Sequence, residues 1–98
     1  MEALKRKPDL GVRKSMELAD GTKIEVVGVL ARDTMRIANN KSLSDVDKGI
    51  HVTAAKIRVD GQPVVVDDLM NCFTDEELTE IVAFANDVKE EGEDEKNG

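Results

Sequence analysis

The chain has 98 residues, of which 40% are hydrophobic but only 2% aromatic, and a formal net charge of −7. That length allows one domain with one modest core and excludes a second, and burial must rest on Leu, Ile, Val, Met and Ala, which individually remove less area from water than aromatic rings do. A single cysteine, Cys72, excludes an intramolecular disulfide, and with one histidine beside it there is no recognisable zinc set.

No segment approaches the roughly 20 apolar residues of a membrane span, and the basic Lys5, Arg6 and Lys7 have no apolar run behind them. The expectation is a soluble, unprocessed protein of a reducing cytoplasm. Charge is distributed unevenly. Residues 1–14 carry five bases and two acids, residues 15–59 seven bases and six acids, and residues 60–98 two bases and thirteen acids. The C-terminal part, at −11, would repel nucleic acid. It reads first as a solvated helix face followed by a solubilising tail, and second as a mimic of nucleic acid or a lure for a basic protein surface.

Residues 1–12 lack sustained periodicity and are interrupted by Pro8 and Gly11, so a mobile N-terminal arm is expected there. Met16, Leu18, Ile24 and Val26 alternate around the turn signal Asp20-Gly21-Thr22, as a two-stranded hairpin requires. An isolated hairpin is marginal in water, so its apolar face must pack on the helices that follow. A first helix is expected from about Asp33, a competent N-cap, with Asn39-Asn40 ending it early. Ser44 with Asp47 resembles a capping box, and Val46, Ile50, Ala54 and Ile57 recur beyond it at helical spacing. This second helix is expected to end near Arg58, with a brief extended excursion around Gly61. Lys56-Ile57-Arg58-Val59 also alternates as a strand, with Asp60-Gly61 as its turn and Val64-Val65-Val66 as a return.

Asp67 or Asp68 can cap a short third helix through Leu69, Met70 and Phe73. The clearest signal is Thr74-Asp75-Glu76-Glu77, a capping box whose three acids also complement the helix dipole. Leu78, Ile81, Val82, Ala85 and Val88, flanked by Phe84, form the apolar stripe of the helix it starts. Residues 90–98 hold nothing apolar to bury, so a disordered acidic tail is expected. The whole is a small α+β domain over residues 13–89, an N-terminal β-hairpin packed on three to four α-helices.

The residues offer no catalytic constellation. His51 has no identifiable nucleophile beside it and reads as a structural histidine. Cys72 reads as a packed thiol. Asp67, Asp68, Asp75, Glu76 and Glu77 read as helix-start acids, since they lack the alternating oxygen ligands, central Gly and terminal Glu of a calcium loop. A Gly-rich phosphate loop and an aromatic platform for bases are both missing. The expectation is a non-enzymatic protein with no cofactor and no metal, binding neither nucleic acid nor membrane.

From Leu18 to Phe84, the turn at Asp20-Gly21-Thr22, Arg32-Asp33 at a helix start, Asp60-Gly61-Gln62-Pro63-Val64, Asp67-Asp68-Leu69 and the closing Phe73-x-Asp75-Glu76-Glu77-Leu78 together resemble the small tail assembly chaperones of tailed bacteriophages. The resemblance covers about two thirds of the chain. It implies a protein that binds the long tape measure protein and keeps it soluble in the bacterial host cytoplasm until tail-tube subunits polymerise around it. Met35, Ile37, Met70, Phe73 and Phe84 are the candidate partner-binding residues, with Met suited to irregular partners by its unbranched side chain. Weak homo-oligomerisation is compatible with this reading. Two other roles stay open: a minor structural component of a phage neck or baseplate, and an acidic inhibitor that mimics nucleic acid.

Overall fold

A computed structural model describes residue 4 and residues 6–86. The expected acidic tail at 90–98, and Val88 of the expected apolar stripe, lie outside the described residues. Among the described residues the architecture is α+β: a four-stranded antiparallel sheet of order β1-β2-β3-β4, with four helices.

The N-terminal hairpin forms where the alternation placed it, as β1 (Val12–Glu17) and β2 (Lys23–Val27). Met16 pairs with Ile24 and Lys14 with Val26, and Lys14 and Met16 are half-buried while Arg13, Ser15 and Glu17 face solvent; the register shifts between Val12 and Lys14, and Val12 is exposed. Between the strands Asp20 accepts from the Thr22 N–H at 2.9 Å, closing the turn that Gly21 permits. Val12, placed in the arm by its sequence, opens β1. Just before it, Gly28 donates to the Gly11 carbonyl at 3.1 Å, and Asp9 accepts from the Gly11 N–H at 2.9 Å and pairs with Arg13 at 3.4 Å. A Cβ on Gly28 would collide with the Asp9 carbonyl and the Arg13 guanidinium, so the glycine is what lets this segment approach.

α1 (Ala31–Ala38) begins two residues before the expected cap. Leu30 is the N-cap, and Asp33 lies inside the first turn, where it pairs with Arg36 at 3.2 Å. Its N–H is already committed to the Leu30 carbonyl, which fixes it as a helical residue. Asn39 ends the helix as expected. α2 (Asp45–Lys56) follows, with Ser44 Oγ accepting from the Asp47 N–H at 3.1 Å.

The end of α2 overturns the sequence reading. The helix stops at Lys56, and Ile57 passes directly into β3 (Ile57–Val59), which turns through Asp60-Gly61 into β4 (Gln62–Pro63). Asp60 at φ 51° and Gly61 at φ 83° are both left-handed, the conformation of a two-residue hairpin turn matched to strand twist. Tertiary pairing decides the matter. Ile24 opposes Val59 and Val26 opposes Ile57, so continuing the helix would have removed the partners of β2. Asp60 strengthens the join, donating its N–H to the Lys23 carbonyl at 2.8 Å and accepting the Lys23 N–H on Oδ1 at 3.0 Å.

α3 (Val66–Cys72) is capped by neither Asp67 nor Asp68 in the expected sense. Val65 is the N-cap, and Asp68, three residues on, reaches back to accept from the Val65 N–H at 3.0 Å. Phe73 falls outside the helix, as its C-cap. α4 (Asp75–Asn86) begins at the full capping box: Thr74 Oγ1 accepts from the Glu77 N–H at 3.1 Å, and Glu77 Oε1 accepts from the Thr74 N–H at 3.0 Å.

The core lies between one sheet face and the helices. Leu18, Ile24, Val26 and Ile57 from the sheet side meet Ala54 of α2, Leu69 of α3, and Ile81 and Ala85 of α4. α2 is the central helix, packed against α1, α3, α4 and β3.

Candidate functional site

The twelve-residue helices α2 and α4 run side by side in the same direction. Asp45 and Asp75, their first residues, line one end of a shared groove, while at the other end Lys56 Nζ donates to Asn86 Oδ1 at 3.1 Å. The seam at that closed end is polar and satisfied. Thr53, fully buried, donates to the Gly49 carbonyl at 2.8 Å and accepts from Asn86 Nδ2 at 3.1 Å, and Asn86 Nδ2 also donates to the Val82 carbonyl at 2.9 Å. A part-buried polar chain anchored on the buried Thr53, with each of these members bonded, fixes the spacing of two helices more narrowly than apolar contact alone.

Toward the N-terminal ends the helices part, leaving an apolar groove of about 520 Å³. Val46, Gly49 and Ile50 of α2 form one wall, and Leu78, Thr79, Val82 and Ala83 of α4 the other. Two sequence features create it. Gly49 presents no side chain, and a Cβ there would meet nothing within 4 Å, so the α2 wall is recessed at mid-groove. On α4 the apolar residues exceed one face: Ile81 and Ala85 take the buried positions, and Leu78 and Val82 are left half-buried beside them. The mouth is acidic, with Asp45 and Asp75 in the lining and exposed Asp47 and Glu76 on the same helix starts.

The five candidate partner-binding residues do not converge. Met35 on α1 and Met70 on α3 are exposed, at 57% and 55%. Ile37 is half-buried on α1. Phe73 and Phe84 pack against the core, and the Lys14 ammonium sits 4.5 Å from the centroid of the Phe84 ring, within reach of a cation–π attraction. None of the five lines the groove. The residue missed is Val46, read only as one of the apolar residues at helical spacing in the second helix, and 72% exposed at the groove rim. The signal was present: Val46 is followed three residues later by Gly49, which leaves no side chain on the same stretch of helix to cover it.

The other chemistry-bearing residues lie elsewhere. His51 lines a shallow hollow with Ala54, Ala55, Val64 and Asp67 on the other side of α2. Cys72, expected to be packed, is exposed, because the chain turns inward only at Phe73, after α3 has ended. Among the described residues, no three His, Cys, Asp or Glu side chains converge as a metal site, and no helix is long and apolar enough to cross a membrane. Compared with known proteins, the chain matches no family model, no curated sequence and no solved structure.

Proposed function

We propose that this chain is a non-enzymatic client-holding protein, that the α2–α4 groove is where the client sits, and that the client is the tape measure protein of a tailed phage. The observation that carries the binding reading is the groove itself, apolar along its length and acidic at its mouth. An amphipathic helix laid along such a groove places its i, i+3/i+4 and i+7 side chains against Val46, Ile50, Leu78 and Val82. A Lys or Arg at the end of that helix then meets Asp45 and Asp75. The choice of client rests on the resemblance of the turns and helix starts to tail assembly chaperones. A long helical client with exposed apolar stripes self-associates unless those stripes are covered, and a strongly acidic holder keeps the complex dispersed.

The test is co-expression with the tape measure protein of the same phage. The client is expected to remain soluble with the wild-type chain, and to precipitate when Val46→Asp or Val82→Asp places a charge in the groove. Met35→Asp, on α1, is expected to leave it soluble. The complex should survive ~0.5 M salt, where the screening length is only a few ångströms. Release of the partner at that salt would favour the nucleic-acid mimic instead. Recovery of the chain in finished particles would favour the neck or baseplate component. A tape measure protein that stays soluble alone removes the chaperone reading.

A further inference from the structure

Among the described residues, the two most exposed large apolar side chains are Leu4, at 88%, and Val46, at 72% on the rim of the α2–α4 groove. A lone exposed leucine needs no explanation, but this one is followed by three consecutive bases, Lys5, Arg6 and Lys7. Arg6 and Lys7 are exposed and have no ion-pair partner among the described residues, and the same holds for Asp45 and Asp75 at the groove mouth. The N-terminal segment therefore presents an apolar group with positive charge beside it, and the groove an apolar slot with negative charge beside it.

We propose that the groove of one copy takes the N-terminal segment of a second copy, with Leu4 between Val46 and Val82 and the three bases at Asp45 and Asp75. The groove has a polarity that sets the direction of entry. Its closed end is sealed by the Lys56–Asn86 bond and carries a positive charge, so the bases belong at the acidic mouth and Leu4 further in. The residues after Lys7 then lead out through the mouth toward the body of the donor copy. A second copy is the donor because of where the segment joins its own domain. Leu10 borders a hollow with Ala54 and Ala55, on the side of α2 turned away from the groove, and Leu4 is left exposed. The acidic residues 90–98 would attract the same bases but offer Leu4 nothing apolar. This inference rests on the groove being a docking site for apolar and basic groups, and it adds a regulation of that site: a client of the same chemistry must displace the segment, so free copies cover one another's grooves until client is present.

The test uses the full chain. Sedimentation up to about 1 mM should show concentration-dependent association, weakened about tenfold or more by Leu4→Asp in the donor segment or by Val46→Asp in the acceptor groove, and unchanged by Met35→Asp. Leu4→Asp alters an exposed residue, and circular dichroism checks that Val46→Asp keeps the fold. Arg6→Glu with Lys7→Glu should abolish association, and adding Asp45→Lys with Asp75→Lys should restore it, a rescue that a merely structural role would not give. A synthetic peptide of residues 1–8 titrated into isotope-labelled chain should shift the NMR signals of Val46, Gly49 and Val82. A chain that stays monomeric at millimolar concentration, association indifferent to Val46→Asp, or peptide shifts that avoid the groove overturns the proposal. So does a groove perturbed by Leu4→Asp to the same extent at every dilution, which would mean that each segment fills its own groove. Client retention that is lost in Val46→Asp while the wild-type chain shows no self-association removes this inference alone and leaves the client reading standing.

Discussion

The side-chain amide of Asn86 donates to Thr53 Oγ1 at 3.1 Å, tying the end of α4 to a fully buried hydroxyl on the last turn and a half of α2. The hydroxyl is doubly used, since it also donates to the Gly49 carbonyl. Thr53→Val keeps the shape and removes both bonds, leaving one amide hydrogen of Asn86 without its acceptor. A loss of about 1–2 kcal/mol is expected in urea unfolding. A double-mutant cycle with Asn86→Ala should return a coupling of at least ~0.5 kcal/mol, as expected for residues in one hydrogen-bond network.

At the start of α4, Thr74→Ala removes the acceptor for the Glu77 N–H. It should cost about 1 kcal/mol. Glu76→Ala, in the same turn but outside the box, should cost a few tenths through the helix dipole alone. Equal costs in chemical denaturation would mean that the Thr74 cap contributes nothing specific.

Gly49 separates stability from binding. A helical glycine is worse than alanine by about 0.5–1 kcal/mol, and a Cβ at position 49 meets open space, so Gly49→Ala should raise the unfolding midpoint. Gly49→Leu extends the same side chain across the groove. It should leave the domain folded yet abolish retention of the proposed client, measured by co-purification.

Gly61→Ala should destabilise by about 1 kcal/mol or more, because φ 83° is strained for any residue with a Cβ. Thermal unfolding of the variant measures the cost.

Two carboxyls are held below their ordinary value of 3.8. Asp20 is lowered chiefly by the Thr22 N–H, and Asp9 chiefly by the Gly11 N–H and then by the charge of Arg13. Because both are depressed in the folded chain, their contribution is fully present above 3.8 and is lost as pH falls through the lower folded values. Acid titration followed by NMR should show both midpoints below the ordinary carboxylate value of 3.8, and Arg13→Gln should move Asp9 upward while leaving Asp20 in place.

The elements legible in the sequence are those whose signals are local. The Thr74 box, the alternation from Met16 to Val26 and the stop at Asn39 each depend on residues within one turn or one hairpin, and each appears where its chemistry placed it. Ile57-Arg58-Val59 was ambiguous because helix and strand periods agree over so short a run. The choice was made by β2, more than 30 positions away, which needed Ile57 and Val59 as partners. The groove was illegible for a related reason. Val46 and Val82 carry the same apolar signal as core residues, and although Gly49 marks where the α2 wall is recessed, that α4 forms the facing wall is a long-range pairing no local pattern encodes. Phe73 and Phe84, singled out as large apolar groups in a chain short of aromatics, were claimed by the core for that very scarcity.

Lys56 ends α2 and Ile57 begins β3 with no residue between them, and Ile57 is buried. In mechanical terms α2 is a beam clamped at one end: it cannot swing without shearing the pairing of β3 with β2. α4 enters through the short link at Phe73-Thr74 and is held to α2 at its far end by Asn86. Of the two walls of the groove, α4 is therefore the compliant one. In the proposed complex, a bulky client would be accommodated by the first turns of α4 yielding outward about the Asn86 tie, so that the strain of binding would fall on the Thr74 cap and the sheet would keep its register.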